Sequence, residues 1–292
     1  MARLSATAWK ATQFMTSRNY EINFYCDKDF KTVSPHSHDF FELYYFIQGG
    51  VSYIIENERY HLEPNDILLI SPSNLHQLDI FDSKTSYERM VLWINPKYLK
   101  SISSEETDLS ICFRLCTEKH SHIIRDVNLS EQIRAQLDAL CAAPQNEFGS
   151  DIASEMHIKQ VLLSLCRHLR QDLEEGNKQK EGEKGNSTVF AAVEYINAHL
   201  AENLSLDTLA EKLFISKYHL AHLFKQGTNV TPHQYILKKR LILSKRLIEQ
   251  DLPIIEVFSR CGFADYTHFF RAFKGEYGIT PKQYHAITTQ NQ

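Results

Sequence analysis

The sequence predicts an α+β protein of two domains: an N-terminal β-barrel with flanking helices, then a C-terminal all-α domain containing two helix-turn-helix units. Three observations point to this architecture. A segment in the last third recurs 49 residues further on, short β-branched and aromatic runs crowd residues 20 to 95, and a stretch without apolar residues separates the two regions. At 292 residues the chain is long enough to build two cores. The boundaries that follow are 1–175 for the first domain, 176–187 for a flexible linker and 188–289 for the second.

Strands come first. The runs Phe41–Ile47, Val51–Ile55, Asp66–Ile70 and Met90–Ile94 are short and rich in β-branched and aromatic residues, with turn residues at Gly49-Gly50, Glu56-Asn57 and Pro64-Asn65-Asp66 between them. Short strands at close spacing imply a barrel or sandwich. Within this region His36-Ser-His38 precedes Glu42, and His76 follows beyond Ser71-Pro72. Imidazoles and a carboxylate converging inside a barrel suit Fe, Mn, Ni or Zn. In the cupin barrels of regulators, which this spacing resembles, such residues often line a pocket, and the same four with Tyr44 are expected to hydrogen-bond a small organic effector. Phe40, Phe41, Tyr44, Tyr45, Phe46, Tyr53 and Tyr60 could stack on a sugar ring or simply fill the core.

Helices close the first domain. Ile133, Leu137 and Leu140, then Ile158, Val161, Leu162, Leu165, Cys166, Leu169 and Leu173, follow helical periodicity. These stripes read either as core or as a helix-against-helix dimer seam. The segment Glu174–Ser187 then combines glycine and charge with no apolar residue, as a flexible linker does.

The repeat supplies the second domain. Leu223–Tyr235 returns as Ala272–Tyr284, with Phe224 and Phe273, Lys225 and Lys274, Thr231-Pro232 and Thr280-Pro281, and Gln234-Tyr235 and Gln283-Tyr284 in register. Ser205 and Ser216 cap the two helices of the first copy, Pro253 and Asp265 start those of the second, and Thr-Pro opens a further helix after each. The units span about 206–227 and 254–277. Asn229 and Gly278 are equivalent, and both residue types tolerate the left-handed conformation that closes a helix.

Leu220, Leu223 and Phe224 in one copy, and Phe269, Ala272 and Phe273 in the other, form the inward stripes. The opposite faces carry Tyr218, Ala221, His222 and Lys225, and Thr267, Phe270, Arg271 and Lys274. A second helix with a polar, basic outer face is the element that enters a DNA major groove. Between the copies, a helix from about His233 to Gln250 carries Lys238-Lys239-Arg240 and Lys245-Arg246. Lys239 and Lys245 are expected to contact phosphates.

Residues 188 to 288 resemble the DNA-binding domain of the AraC/XylS family of bacterial regulators. The resemblance rests on Ser216–Lys225, Arg240-Leu241, Cys261–Lys274 and Gly278–Pro281. It implies base contacts from Tyr218, Ala221 and His222 in one unit, and from Thr267, His268 and Arg271 in the other. Phe258 stands where the family usually has a small residue, and Ala221 where it often has a hydrogen-bonding one. The His36, His38, Glu42 and His76 spacing resembles the cupin sensor of such regulators. Double-stranded promoter DNA, a small effector (a sugar by preference), a homodimer and RNA polymerase are the partners this resemblance implies. A metal-dependent cupin enzyme with a DNA-binding appendage is the alternative.

Charge and cysteine usage agree with the regulator reading. From residue 188 onward 12 Lys and Arg face 9 Asp and Glu, a net of +3 against −4 for the whole chain. That mild basicity suits a specific DNA binder better than a general polyanion binder. Cys26, Cys112, Cys116, Cys141, Cys166 and Cys261 are scattered without a C-x-x-C pair, and Met1 to Lys10 lacks the apolar core of a signal peptide. A cytoplasmic protein without membrane segments is expected.

Overall fold

The structure is a computed structural model that describes residues 15–28, 32–72, 74–82, 85–119, 121–143, 147–175 and 187–290. The chain divides into two compact units, Met1–Lys184 and Gly185–Gln292. Apart from Ser187, the expected linker at 176–187 lies outside the described residues.

The first unit opens with seven strands: β1 (Tyr20–Asp27), β2 (Phe41–Gln48), β3 (Gly50–Ile55), β4 (Glu58–His61), β5 (Ile67–Ile70), β6 (His76–Asp82) and β7 (Tyr87–Ile94). A two-residue β8 (Ile123–Ile124) completes a five-stranded sheet of order β1-β7-β2-β5-β8, and β4-β3-β6 form a second sheet. Every strand pair in these sheets is antiparallel.

The larger sheet is buried on both faces, which is why its strands read as continuous apolar runs. Tyr44, Phe46, Leu68, Ile70, Val91 and Trp93 point into the barrel, whereas Leu43, Tyr45, Ile67, Leu69, Met90 and Leu92 pack against helices. Those helices are α1 (Pro96–Ile102), α2 (Ile111–Glu118), α3 (Val127–Ala142) and α4 (Ser150–Glu174). Ile133, Leu137, Leu140, Ile158, Val161, Leu162, Leu165, Cys166 and Leu169 all lie in that same core. The stripes expected as core or dimer seam are therefore core, with Leu173 left exposed.

The second unit is helical: α5 (Ser187–Ala198), α6 (Leu206–Lys212), α7 (Lys217–Thr228), α8 (Pro232–Glu249), α9 (Ile254–Arg260), α10 (Tyr266–Tyr277) and α11 (Pro281–Gln290). Ser205, Ser216 and Asp265 each accept from the backbone amide three residues on. Thr231 forms a capping box with Gln234, and Thr280 exchanges the same pair of bonds with Gln283. Asn229 (φ 58°) and Gly278 (φ 72°) close α7 and α10 in the left-handed region. Leu220, Phe224, Phe269 and Phe273 are fully buried. Phe258 is half-buried in this core, its ring edge-on to Tyr266 at 6.0 Å. Among the described residues, no helix is long and apolar enough to cross a membrane.

Candidate functional site

Each unit carries a candidate site. In the second unit, burial of Leu220 and Phe224 turns the other side of α7 outward. Tyr218 is 80 % exposed, His222 and Lys225 are exposed, and Ala221 is half-buried. On α10, Thr267, His268, Arg271 and Lys274 are exposed and Phe270 is half-buried. The His268 ring rests edge-on against Phe263 at 5.6 Å. The sequence-predicted groove-facing residues thus lie on the free faces of two helices in equivalent positions.

On α8 the two expected phosphate contacts part company. Lys239 is half-exposed, its ammonium 5.8 Å from the Tyr235 ring. Lys245 is a correction: it is only 7 % exposed, with its ammonium over the rings of Tyr277 and Tyr284. The turn at Asp251–Pro253 brings α9 and α10 back onto this side of α8, so the periodicity that marks Lys245 as basic does not mark it as external.

In the first unit, the barrel interior gathers polar side chains from both sheets. Glu42 on β2 stands opposite Trp93 on β7, and His76 begins β6, where its backbone bridges His36. The His38 Nε2 lies 2.7 Å from a Glu42 carboxylate oxygen, and the His76 Nε2 lies 3.7 Å from the same oxygen. Ligand atoms of His38, Glu42 and His76 all fall within 4.8 Å of one another. His36 falls outside this set. Its Nδ1 donates to the Ser34 carbonyl (3.1 Å), and its ring packs 4.3 Å from that of His76.

Backbone carbonyls fix the imidazole tautomers. His38 Nδ1–H donates to the Phe40 carbonyl at 2.9 Å, and His76 Nδ1–H donates to the Asn74 carbonyl at 3.0 Å. The Nε2 of each ring is then directed at the Glu42 carboxylate: that of His38 hydrogen-bonds it at 2.7 Å, and that of His76 stands 3.7 Å away. Burial, followed by the nearby His36 and His38, holds His76 well below the usual imidazole range. Two imidazole nitrogens and a carboxylate oxygen that converge in this way are all ligand atoms for a metal ion. The donor set therefore fits a divalent cation, and second bonds from Nδ1 to carbonyls are the usual means of orienting imidazole ligands.

Beyond the triad the interior is aromatic and charged. The Tyr44 hydroxyl pairs with that of Tyr87, and Arg89 lies between the rings of Tyr25 (4.5 Å) and Tyr87 (4.1 Å) while pairing with Asp27. Burial pushes Tyr87 up to about 12. The free cavity beside these groups is about 20 Å³, room for roughly one water. Among the described residues, two buried polar atoms here have no hydrogen-bond partner: the His76 Nε2 and the Trp93 Nε1–H. Sequence reasoning passed over Arg89 and Trp93. The signal was the phase of β7, where Tyr87, Arg89, Val91 and Trp93 share one face, so the strand's single Arg points into the barrel.

Comparison with known proteins supports both halves of the chain. The family model described as an AraC-like ligand binding domain matches residues 22–162, and that described as a helix-turn-helix domain matches residues 209–286. The chain is 27 % identical to the probable transcriptional regulator LumQ of Photobacterium leiognathi, over 87 % of this chain and 92 % of that one. It is 24 % identical to the HTH-type transcriptional activator RhaS of Escherichia fergusonii, over 85 % and 86 %. Among solved structures, the C-terminal domain of AraT, a response regulator from Geobacillus stearothermophilus, is 29 % identical, covers 36 % of this chain and 88 % of its own, and gives a TM-score of 0.35.

Proposed function

We infer that this chain, which belongs to the AraC family of DNA-binding transcriptional regulators, is an effector-responsive activator of a catabolic operon. The DNA half of this reading assigns base contacts to Tyr218, Ala221 and His222 on α7 and to Thr267, His268 and Arg271 on α10. Lys225, Lys274 and Lys239 are assigned to the phosphates. Ala221 offers only apolar contact, of the kind a thymine methyl accepts. Promoter DNA places the protein in the cytoplasm, in reach of RNA polymerase. We assign no catalytic step to the chain.

The effector half is carried by one observation, the two unpartnered buried atoms in the barrel. The Trp93 Nε1–H wants an acceptor and the His76 Nε2 wants a donor or a cation. A hydroxyl is both acceptor and donor, so a hydroxyl-rich molecule such as a sugar satisfies the pair, and Tyr25, Tyr53 and Tyr87 supply stacking faces. A divalent cation held by His38, Glu42 and His76 would supply positive charge beside the buried carboxylate. The free space is smaller than a monosaccharide, so binding requires the barrel to open. That requirement gives the effector a differential affinity for two states.

Unfolding of the full chain in the presence of a panel of sugars and polyols tests the effector. A hit should raise the Tm of wild type but not of Trp93→Phe, and should change affinity for DNA. Stabilisation by apolar acids alone would overturn the sugar assignment.

The dimer has its own observation. Phe148, Ile152 and Met156 are exposed at and beside the start of α4, while the inward stripe of that helix is consumed by core. We assign the self-association surface to this outer face. Light scattering of Ile152→Glu beside wild type checks it, with a fall to monomer mass expected.

A further inference from the structure

We infer that Arg240 sets the spacing between the two helix-turn-helix units, and so the length of DNA that both can read together. It is a positioning residue that touches no base. The inference rests on the reading that α7 and α10 enter successive grooves.

Three segments meet at one carbonyl. Arg240, half-buried midway along α8, donates from Nε to the Leu200 carbonyl at 3.0 Å and from Nη2 to the Glu202 carbonyl at 2.7 Å. Both carbonyls lie in the connection between α5 and α6, the segment that leads directly into the first helix-turn-helix unit. From the other side comes Gly262, in the turn between α9 and α10. A Cβ on Gly262 would run into the Leu200 carbonyl oxygen and lie 2.9 Å from Arg240 Nη2. One guanidinium thus binds the lead-in to the first unit to the connecting helix, and the second unit's turn presses on the Leu200 carbonyl. Lys238 pairs with Glu276 and ties α8 to α10.

The repeat provides an internal control. The left-handed turn residue that matches Gly262 in the first unit is Phe214, 48 residues earlier because the second turn is one residue longer (φ 55° against 81°), and it is 93 % exposed. Left-handed backbone alone therefore does not require glycine at this turn. Glycine stands only where the turn is pressed against Leu200 and Arg240. Burial also draws the Arg240 pKa down, a cost that the two carbonyl bonds offset.

A joint of this kind makes α7 and α10 one ruler. Successive major-groove faces on one side of B-DNA lie about 34 Å apart, and one added base pair both lengthens and rotates the second site. A stiff ruler rejects that change, and a loosened one tolerates it. Lysine gathers its donors on one nitrogen and has no rigid fork to reproduce the separate Nε and Nη2 bonds, so Arg240→Lys loosens the joint while keeping the charge. Gly262→Ala loosens it from the opposite side, so misfolding of one variant leaves the other informative.

The test uses the full chain and duplexes selected by wild type from a random-sequence pool. The footprint is mapped, and binding is then measured on the selected duplex, on one with a base pair inserted between the two contacted grooves, and on one with a single contacted groove scrambled. Wild type should lose tenfold or more on the insertion. Either variant should lose threefold or less there, with binding to the single-groove duplex within twofold of wild type. An unchanged insertion penalty in a folded variant, or equal loss on all three duplexes, overturns the role of Arg240. A wild-type footprint confined to one groove overturns the two-groove reading itself, and the ruler with it.

Discussion

The ammonium of Lys245 lies 5.0 Å from the centre of the Tyr284 ring, joining α8 to α11, and 4.8 Å from Tyr277 on α10. The Tyr284 hydroxyl in turn donates to Glu249, one turn further along α8. A lysine placed this way holds the second unit together instead of meeting phosphate. Lys245→Ala removes a buried stem and a shielded cation–π contact, and should cost about 2–3 kcal/mol of stability. The logarithmic salt slope of DNA binding should stay as in wild type. Lys239→Ala should do the reverse, with stability within about 0.5 kcal/mol and the slope reduced by about 1. Thermal unfolding and a salt titration of binding separate the two.

Arg271 is exposed on α10, one turn beyond Thr267, on the face away from buried Phe269 and Phe273. Arg271→Ala should weaken a cognate duplex by about 1–3 kcal/mol and leave random DNA nearly untouched. Equal losses on both would assign Arg271 to phosphate.

The helical unit was legible because its signals are local. Ser205, Ser216, Thr231 and Asp265 each cap the backbone three residues away, and Asn229 and Gly278 close their helices through their own φ. Lys245 was misread because its partners, Tyr277 and Tyr284, are more than 30 residues distant and only packing brings them near. The barrel was legible as strands but not as pairings. Short β4 (Glu58–His61) and the polar β6 (His76–Asp82) carry few apolar residues and gain their order from β3. Of the histidine cluster, spacing identified His38, Glu42 and His76 correctly as neighbours. It included His36 as well, whose ring packs 4.3 Å from that of His76 but which stands outside the converging set.

Cys261 closes α9 fully buried among Val257, Phe263 and Phe269, and burial pushes its thiol up to about 12. A folded pKa raised above the unfolded value, near 9, means that the folded state keeps a proton the unfolded chain has released. The associated stability is fully present below about pH 9 and is lost as pH rises through 12, at up to about 1.4 kcal/mol per pH unit. Cys261→Ala should therefore be less stable than wild type at pH 7, through lost packing, and the gap should narrow between pH 9 and 11. Urea unfolding across that range checks the sign, and a gap that widens with pH would contradict it.

Because His38, Glu42 and His76 converge and His36 does not, their substitutions should differ in response to divalent cations. If a cation lies between the two Nε2 atoms and the carboxylate, wild type gains stability as RT ln(1 + [M]/Kd), about 2.7 kcal/mol at a hundredfold excess over Kd. His36→Ala should keep most of that gain. His76→Gln should lose it, since an amide in its place is a weak ligand for Zn, Ni or Fe. His38→Ala should lose it too and leave Glu42 buried without its 2.7 Å partner, at a further cost in apo stability. Unfolding with chelator or with added Zn²⁺, Mn²⁺ or Ni²⁺ gives the comparison. A cation response lost in His36→Ala but kept in His76→Gln would mean that the bound state rearranges the barrel mouth, with His36 turning inward from the Ser34 carbonyl.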